Sequence, residues 1–272
     1  MFFATTSTLA EHDLPVLSSM SNYQTAAYRA GMTGLWIWIN LLPFNIDNQR
    51  QPDSINEDLE NKPWRPLPAG MISVSSATKL MLSCHALAVL SSLMFGGLVQ
   101  CIGLICLGFW YNNLKGADCS FIVRNLINGS GYICFLSGAT EVMLQKPFIL
   151  NGSRLSSWII LVGVVIFTSI QIQDLPDQVG DSLRNRKTVP LVLGDGFARW
   201  TIALALAIWS IYCPIYWNVN SFSFGTLAII GASVACRAII QRTVDADKLT
   251  FKIYNLWVLY LFALPLMQRQ DP

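Results

Sequence analysis

The chain is short of charge. Asp, Glu, Lys and Arg make up 12% of its 272 residues, about half of what a soluble domain carries. Histidine is nearly absent: His12 and His85 are too far apart to suggest a metal pair. The seven cysteines include no CxxC pair, so neither a zinc ribbon nor a thioredoxin-like motif is in view. Most sit in apolar runs and read as small buried hydrophobes. A formal net charge of +2 gives no basis for a nucleic-acid partner. The opening MFFATTSTLAEHDLPVLSSM lacks the basic start and continuous apolar stretch of a secretory signal. Residues 1–22 are expected to form a polar arm or surface helix.

What the chain has instead is apolar length. Hydrophobic residues make up 53% of it and the mean hydropathy is +0.45, which points to a polytopic membrane protein. A span needs about 20 mostly apolar residues. Eight candidates lie near 24–44, 78–97, 98–113, 121–142, 155–173, 198–217, 223–239 and 251–267. The expected fold is an all-α transmembrane helical bundle forming one catalytic domain over residues 23–272. Gly96 and Gly97 mark a tight turn between the second and third spans. The fourth span carries Asn125, Asn128 and Glu141, polar groups expected to face the bundle interior. With alternating spans, all of the 18 Lys and Arg except Arg29, Lys146, Arg154 and Arg269 fall on one side. The positive-inside rule makes that side cytosolic.

Two acidic stretches share the cytosolic side. QIQDLPDQVGDSLRNRKTVP, residues 171–190, holds Asp174, Asp177 and Asp181 and then Arg184, Arg186 and Lys187. On a helix turning about 100° per residue the three carboxylates share an arc about 60° wide. Anions so crowded repel unless a cation lies among them; a solvated helix end is the plain alternative. Hard oxygen donors suit Mg²⁺, which takes one or two carboxylates together with waters and substrate phosphate. Gly180 would leave room for a ligand. The second stretch, NIDNQRQPDSINEDLENKPWRPLPAG at 45–70, offers Asn48, Asp53, Glu57 and Asp58, then Lys62 and Arg65. Asp53 and Glu57, four apart, would share a helical face. Pro63, Pro66 and Pro68 exclude a regular helix there. Acids and cations together suit a magnesium-bound diphosphate, with the apolar helices accepting a hydrocarbon tail.

These features resemble the UbiA superfamily of intramembrane prenyltransferases. The family's DxxDxxxD is matched at Asp174, Asp177 and Asp181, followed by Arg186, Lys187, Thr188 and Pro190. Its first motif is matched by Asn48 and by Arg65-Pro66-Leu67, with the acids displaced to Asp53, Glu57 and Asp58. YNNLKGADCSFIVRNLINGSGY, 111–132, is similar to the family's tyrosine–lysine loop and implies Lys115 as a diphosphate contact. Tyr111, Asn125, Asn128 and Tyr132 are the matching prenyl-pocket candidates. The family usually has nine helices, whereas one span precedes the first motif here.

The variant NQ…ED…NKPWRPLP is similar to the fungal membrane-bound terpene cyclases of that superfamily. The resemblance implies a Mg²⁺-dependent cyclase that ionises farnesyl diphosphate and closes it to a sesquiterpene, in the endoplasmic reticulum membrane. It implies no obligatory protein partner. A prenyltransferase acting on an aromatic or other acceptor is the alternative, and a non-catalytic lipid-binding or transport protein is a third reading. Trp38, Phe44, Trp110, Tyr111, Tyr132 and Phe135 could offer aromatic faces to a carbocation, or could simply pack the spans.

Overall fold

The structure is a computed structural model and describes residues 23–269; the expected polar arm at 1–22 lies outside them. Eight long helices stand where the apolar runs predict them. They are α1 (Tyr23–Arg50), α3 (Val74–Phe95), α4 (Leu98–Asn112), α6 (Phe121–Leu144), α7 (Arg154–Ser169), α10 (Asp195–Trp217), α11 (Ser221–Ile240) and α12 (Val244–Ala263). Short helices join them: α2 (Pro52–Asn61), α5 (Gly116–Cys119), α8 (Gln178–Leu183) and α9 (Val189–Leu193). A 3₁₀ turn, Ile170–Asp174, extends α7, and another, Leu264–Met267, extends α12. Among the described residues the only strand-like pairing is one isolated bridge, Val219 with Gln268.

Among the described residues five segments are long and apolar enough to cross a membrane: Val74–Phe95, Arg154–Asp174, Asp195–Trp217, Ser221–Ile240 and Val244–Met267. Helix α4 is apolar but has only 15 residues, short of the roughly 20 a span requires. Helices α1 and α6 are long enough but more polar.

Helix starts follow the local sequence. Ser73, Asn220 and Thr243 accept hydrogen bonds from the N–H groups of Ser76, Ser223 and Ala246, relieving donors that a helix start leaves unpaired. Residues 62–73 contain no helix, as the prolines predict.

The chain divides into two compact units, residues 23–167 with 179–188 and residues 168–178 with 189–269. The larger unit packs around Trp36, Ile39, Ala88, Cys101 and Val142. The Trp36 indole N–H donates to Ser92 Oγ at 2.8 Å. Gly138 makes this possible, because a Cβ there would stand 2.2 Å from the ring. The predicted turn at Gly96 and Gly97 is present, with φ of 98° and 79°. Glu141 clips it: Oε1 accepts from the Gly97 N–H at 2.8 Å and Oε2 from Phe148 N–H at 3.1 Å. This polar residue of the fourth predicted span therefore serves the turn.

The smaller unit buries Trp217, Trp257, Leu206, Leu227 and Leu261. Its polar anchor is Arg199, whose side chain is 2% exposed. Arg199 bonds both oxygens of Asp195, both oxygens of Asp247 and the carbonyls of Ala238 and Gln241. Ends of α10, α11 and α12 are thus held by one guanidinium.

Candidate functional site

The larger unit gathers a dense group of acids and arginines. Helix α2 begins with Pro52 in its first turn, a position where the missing N–H costs nothing. It presents Ser54, Glu57 and Asp58 inward and leaves Asp53 exposed. Asp53 and Glu57 share a helix as predicted but meet different surroundings. The single turn α5 brings in Asp118. Residues 181–188 bring Asp181, Arg184 and Arg186.

Arg186 is the hub. Nη1 and Nη2 contact the two oxygens of Glu57 at 3.1 Å each, Nη1 donates to Asp181 Oδ1 at 2.7 Å, and Nε donates to Asp118 Oδ1 at 3.0 Å. Arg184 reaches the same acids: Nη1 lies 3.2 Å from Glu57 Oε2 and Nε 3.0 Å from Asp118 Oδ1. It also donates to Ser54 Oγ at 2.6 Å. Both side chains are at most 5% exposed. Burial and the nearby Arg124 oppose the charge on Arg186, yet Tyr111, Glu57 and Asp181 hold its pKa above the ordinary arginine value. Arg124 itself donates to the Tyr111 hydroxyl and stands over that ring, 5.6 Å from its centroid.

The remaining cations pair with the first motif. Lys115 Nζ lies 3.1 Å from Asp53 Oδ2, both well exposed. Arg65 Nη1 donates to both oxygens of buried Asp58 at 2.8 Å. Burial raises the Asp58 pKa above the ordinary aspartate value and outweighs the pull of Arg65 and Lys62. Lys62 closes α2, its backbone N–H donating to the Asp58 carbonyl. Lys187 is exposed, and its backbone N–H donates to the Asp118 carbonyl at 3.0 Å. Asn48 is half-buried near the end of α1; Asn125 is buried and Asn128 and Tyr132 half-buried on α6.

The second motif departs from the sequence reading. The three aspartates do not lie on one continuous helix: a 3₁₀ turn ends at Asp174, Leu175–Asp177 form a turn, and α8 starts at Gln178. Pro176 is the cause, since its ring clashes with the carbonyl four residues back and offers no N–H. Asp181 belongs to the larger unit, Asp174 and Asp177 to the smaller. Asp174 is buried and Asp177 half-buried. Gln178 fastens their turn by donating to the Leu175 carbonyl at 3.0 Å and to Asp195 Oδ1 at 3.1 Å. The space expected beside Gly180 is filled by Asn61, whose amide nitrogen would lie 2.3 Å from an added Cβ. Of the aromatic candidates, Trp38 is 59% exposed and faces outward, whereas Tyr111 packs edge-on against Phe44 at 5.6 Å.

One residue that completes the cluster, Asp118, was absent from the sequence reading of the site, whereas Arg184 was read only as one of the cations that follow the aspartates. The signal for Asp118 was present, an acid three residues after Lys115 in a loop already singled out.

Among the described residues no three His, Cys, Asp or Glu side chains form a metal cage. The donors present are hard carboxylate oxygens, and Glu57 and Asp181 already converge on a positive charge, Arg186 Nη1. That donor set fits Mg²⁺ bound jointly with phosphate oxygens, since this ion keeps waters and substrate ligands rather than an all-protein shell.

Residues 20–259 match the family described as the UbiA prenyltransferase family. The chain is 30% identical over 237 residues to the fumagillin beta-trans-bergamotene synthase of Aspergillus fumigatus, covering 86% of this chain and 80% of that protein. It is 26% identical over 240 residues to the somaliensene A/B synthase of Streptomyces somaliensis, covering 85% and 76%. A solved structure described as digeranylgeranylglyceryl phosphate synthase in membranes superposes with a TM-score of 0.56 at 17% identity, over 97% of this chain and 98% of that one.

Proposed function

The chain belongs to the UbiA prenyltransferase family, and from that premise we propose that it is a magnesium-dependent membrane terpene cyclase acting on farnesyl diphosphate. The observation that carries the reading is the pair of buried guanidiniums, Arg184 and Arg186, packed on motif carboxylates. Two cations sharing the same oxygens are poised to turn toward a richer anion. Similarity to proteins named as a bergamotene synthase and a somaliensene synthase favours cyclisation.

In this reading Arg184, Arg186 and Lys115 bind the diphosphate oxygens, with Lys62, Arg65 and Lys187 adding positive charge along the same face. Asp174, Asp177 and Asp181, with Asn48, Asp53, Glu57 and Asp58, are the candidate magnesium ligands. Magnesium, when bound, neutralises phosphate oxygens as a Lewis acid. The allylic carbon–oxygen bond breaks and its electron pair leaves with the diphosphate. The guanidiniums stabilise that developing charge. The allylic cation closes onto a double bond of its own chain and then loses a proton, which balances farnesyl diphosphate against hydrocarbon, diphosphate and one proton. Tyr111 and Tyr132 are candidates to border the cation. The motif face is assigned to the cytosol, and the endoplasmic reticulum to the membrane.

Membranes containing the protein, given farnesyl diphosphate and Mg²⁺ without an acceptor, should release diphosphate and a cyclic hydrocarbon. Turnover that begins only when an aromatic or other acceptor is added would replace ring closure by prenyl transfer.

A further inference from the structure

A second chamber, apart from the acid–arginine cluster, lies inside the larger unit. It is a cavity of about 340 Å³ among α1, α3 and α4, at the small end of the range for small-molecule pockets. None of Glu57, Asp118, Asp181, Arg184 or Arg186 lines it. Its walls are mainly apolar, with Phe44, Met81, Leu104 and Ile105 among them. Two further lining residues, Leu82 on α3 and Phe109 on α4, are 58% and 53% exposed, so the cavity reaches the unit's outer apolar surface between those helices.

One end is polar and closed. Asp47 Oδ1 stands 2.7 Å from Arg50 Nε, with side chains 6% and 17% exposed. Asn113 locks the pair, accepting from Arg50 Nη2 at 3.0 Å and donating to Asp47 Oδ2 at 2.9 Å. The two charges cancel, so this end attracts neither an anion nor a cation strongly. His85 also lines the cavity, and its Nδ1 has no hydrogen-bond partner among the described residues. An ionisable side chain at membrane depth marks a functional site by default, and a buried ring nitrogen without a partner calls for a hydrogen-bonding ligand group.

We infer that this cavity is a binding site for an uncharged hydrocarbon alcohol that arrives from the bilayer between α3 and α4 and hydrogen-bonds to His85. A hydroxyl meets either imidazole tautomer, because it both donates and accepts, and it is the smallest neutral group that does so on a hydrocarbon chain. A carboxylate or phosphate would confront Asp47, whose charge Arg50 already satisfies. The apolar walls and outer mouth suit a chain dissolved in lipid. The inference is independent of the diphosphate reading, because it uses none of those residues.

The experiment is photolabelling of the full chain in lipid nanodiscs with a diazirine-bearing dodecanol, mapped by peptide mass spectrometry. Saturable labelling should fall on the peptides carrying Leu82 and Phe109. Unlabelled dodecanol should compete, while dodecane should compete about fivefold less well, as the loss of one hydrogen bond predicts, and dodecanoate should also compete less well, because its charge confronts Asp47. His85→Phe should weaken competition by dodecanol by a similar factor, about fivefold. Gly108→Leu offers a second route: Gly108 lines the cavity, and a Cβ there already lies 3.3 Å from Phe44, so a leucine should fill the space and abolish saturable labelling. Labelling that does not saturate, that dodecane suppresses as well as dodecanol, or that survives in both variants would overturn the assignment.

Discussion

Each unit of this protein buries an arginine among carboxylates, and the two solutions are opposite in kind. In the smaller unit Arg199 meets Asp195 and Asp247 with separate donors and gives its remaining contacts to two helix-end carbonyls. Among the described residues no second cation pairs with Asp247, and Arg242 comes only within 3.7 Å of Asp195 Oδ2, so the arrangement is closed. In the larger unit Arg184 and Arg186 lean on the same atoms, Asp118 Oδ1 and Glu57 Oε2, with Arg124 close enough to oppose the charge on Arg186. Like charges held together on shared oxygens are a costly way to stabilise a fold. They are an apt way to receive a polyanion. On the proposed reading the closed knot serves stability and the crowded one serves ligand binding.

The sharpest test of that contrast is Arg199→Ala. It leaves Asp247 buried without its counter-charge, a change worth about 3–5 kcal/mol for a buried pair. The expected outcome is a large fall in melting temperature and in folded yield in detergent. Arg199→Met combined with Asp247→Asn should recover much of that loss, since removing both charges is far milder than removing one. An unchanged melt in the single variant would break the comparison at its first term.

Arg186→Ala should behave in the reverse way. Arg184 still touches Glu57 and Asp118, so the melt should fall less than in Arg199→Ala. Turnover should drop at least about tenfold, roughly 1.4 kcal/mol of transition-state stabilisation, because the charge on the leaving group grows as the bond breaks. Lys115→Ala should lower kcat by about the same factor while leaving the melt unchanged, as its partner Asp53 is exposed and surface pairs contribute little. Steady-state diphosphate release read beside thermal melts separates the two effects.

How much of this was legible beforehand differs between levels. Apolar runs located the long helices because burial and membrane length act locally on sequence. The turn at Gly96 and Gly97 was equally readable, since few other residues accept those dihedrals. Asp181, Arg186 and Glu57 were singled out from charge pattern and motif resemblance, and Arg184 from charge pattern alone. Asp118 was not, because what joins it to Arg184 is tertiary: they meet across 66 positions in sequence. The shared helical face drawn for Asp174, Asp177 and Asp181 ignored the proline at position 176. Gly180 read as space for a ligand, but Asn61 fills it, and no local pattern forecasts that.

A smaller effect concerns Asp58. Burial raises its pKa in the folded protein, so the folded state takes up a proton more readily than the unfolded one. Stability from this group is therefore present at low pH, and is lost as pH rises through the folded value. Relative to Asp58→Asn, which does not titrate, the wild type should gain stability as pH falls toward 3.8, the ordinary aspartate value. Parallel melts across that range check the sign, and a wild type that loses ground on acidification would show that Arg65 dominates instead.

The smallest expected effect is the control that gives the others meaning. Lys248 lies on the same predicted cytosolic face as Arg186 but sits 3.9 Å from Asp245, with the two side chains 43% and 97% exposed. Such a pair is screened and contributes little, and among the described residues neither forms an ion pair with a motif acid or cation. Lysines in such loops more often meet lipid headgroups. Lys248→Ala should therefore keep kcat within about twofold of wild type, under about 0.5 kcal/mol, with an unchanged melt. Measured beside Arg186→Ala in one detergent, it separates the general positive charge of the face from the particular placement of two guanidiniums on Glu57 and Asp118. Equal damage from both substitutions would mean that the face's charge alone matters and that the crowded cluster holds no special place for the diphosphate.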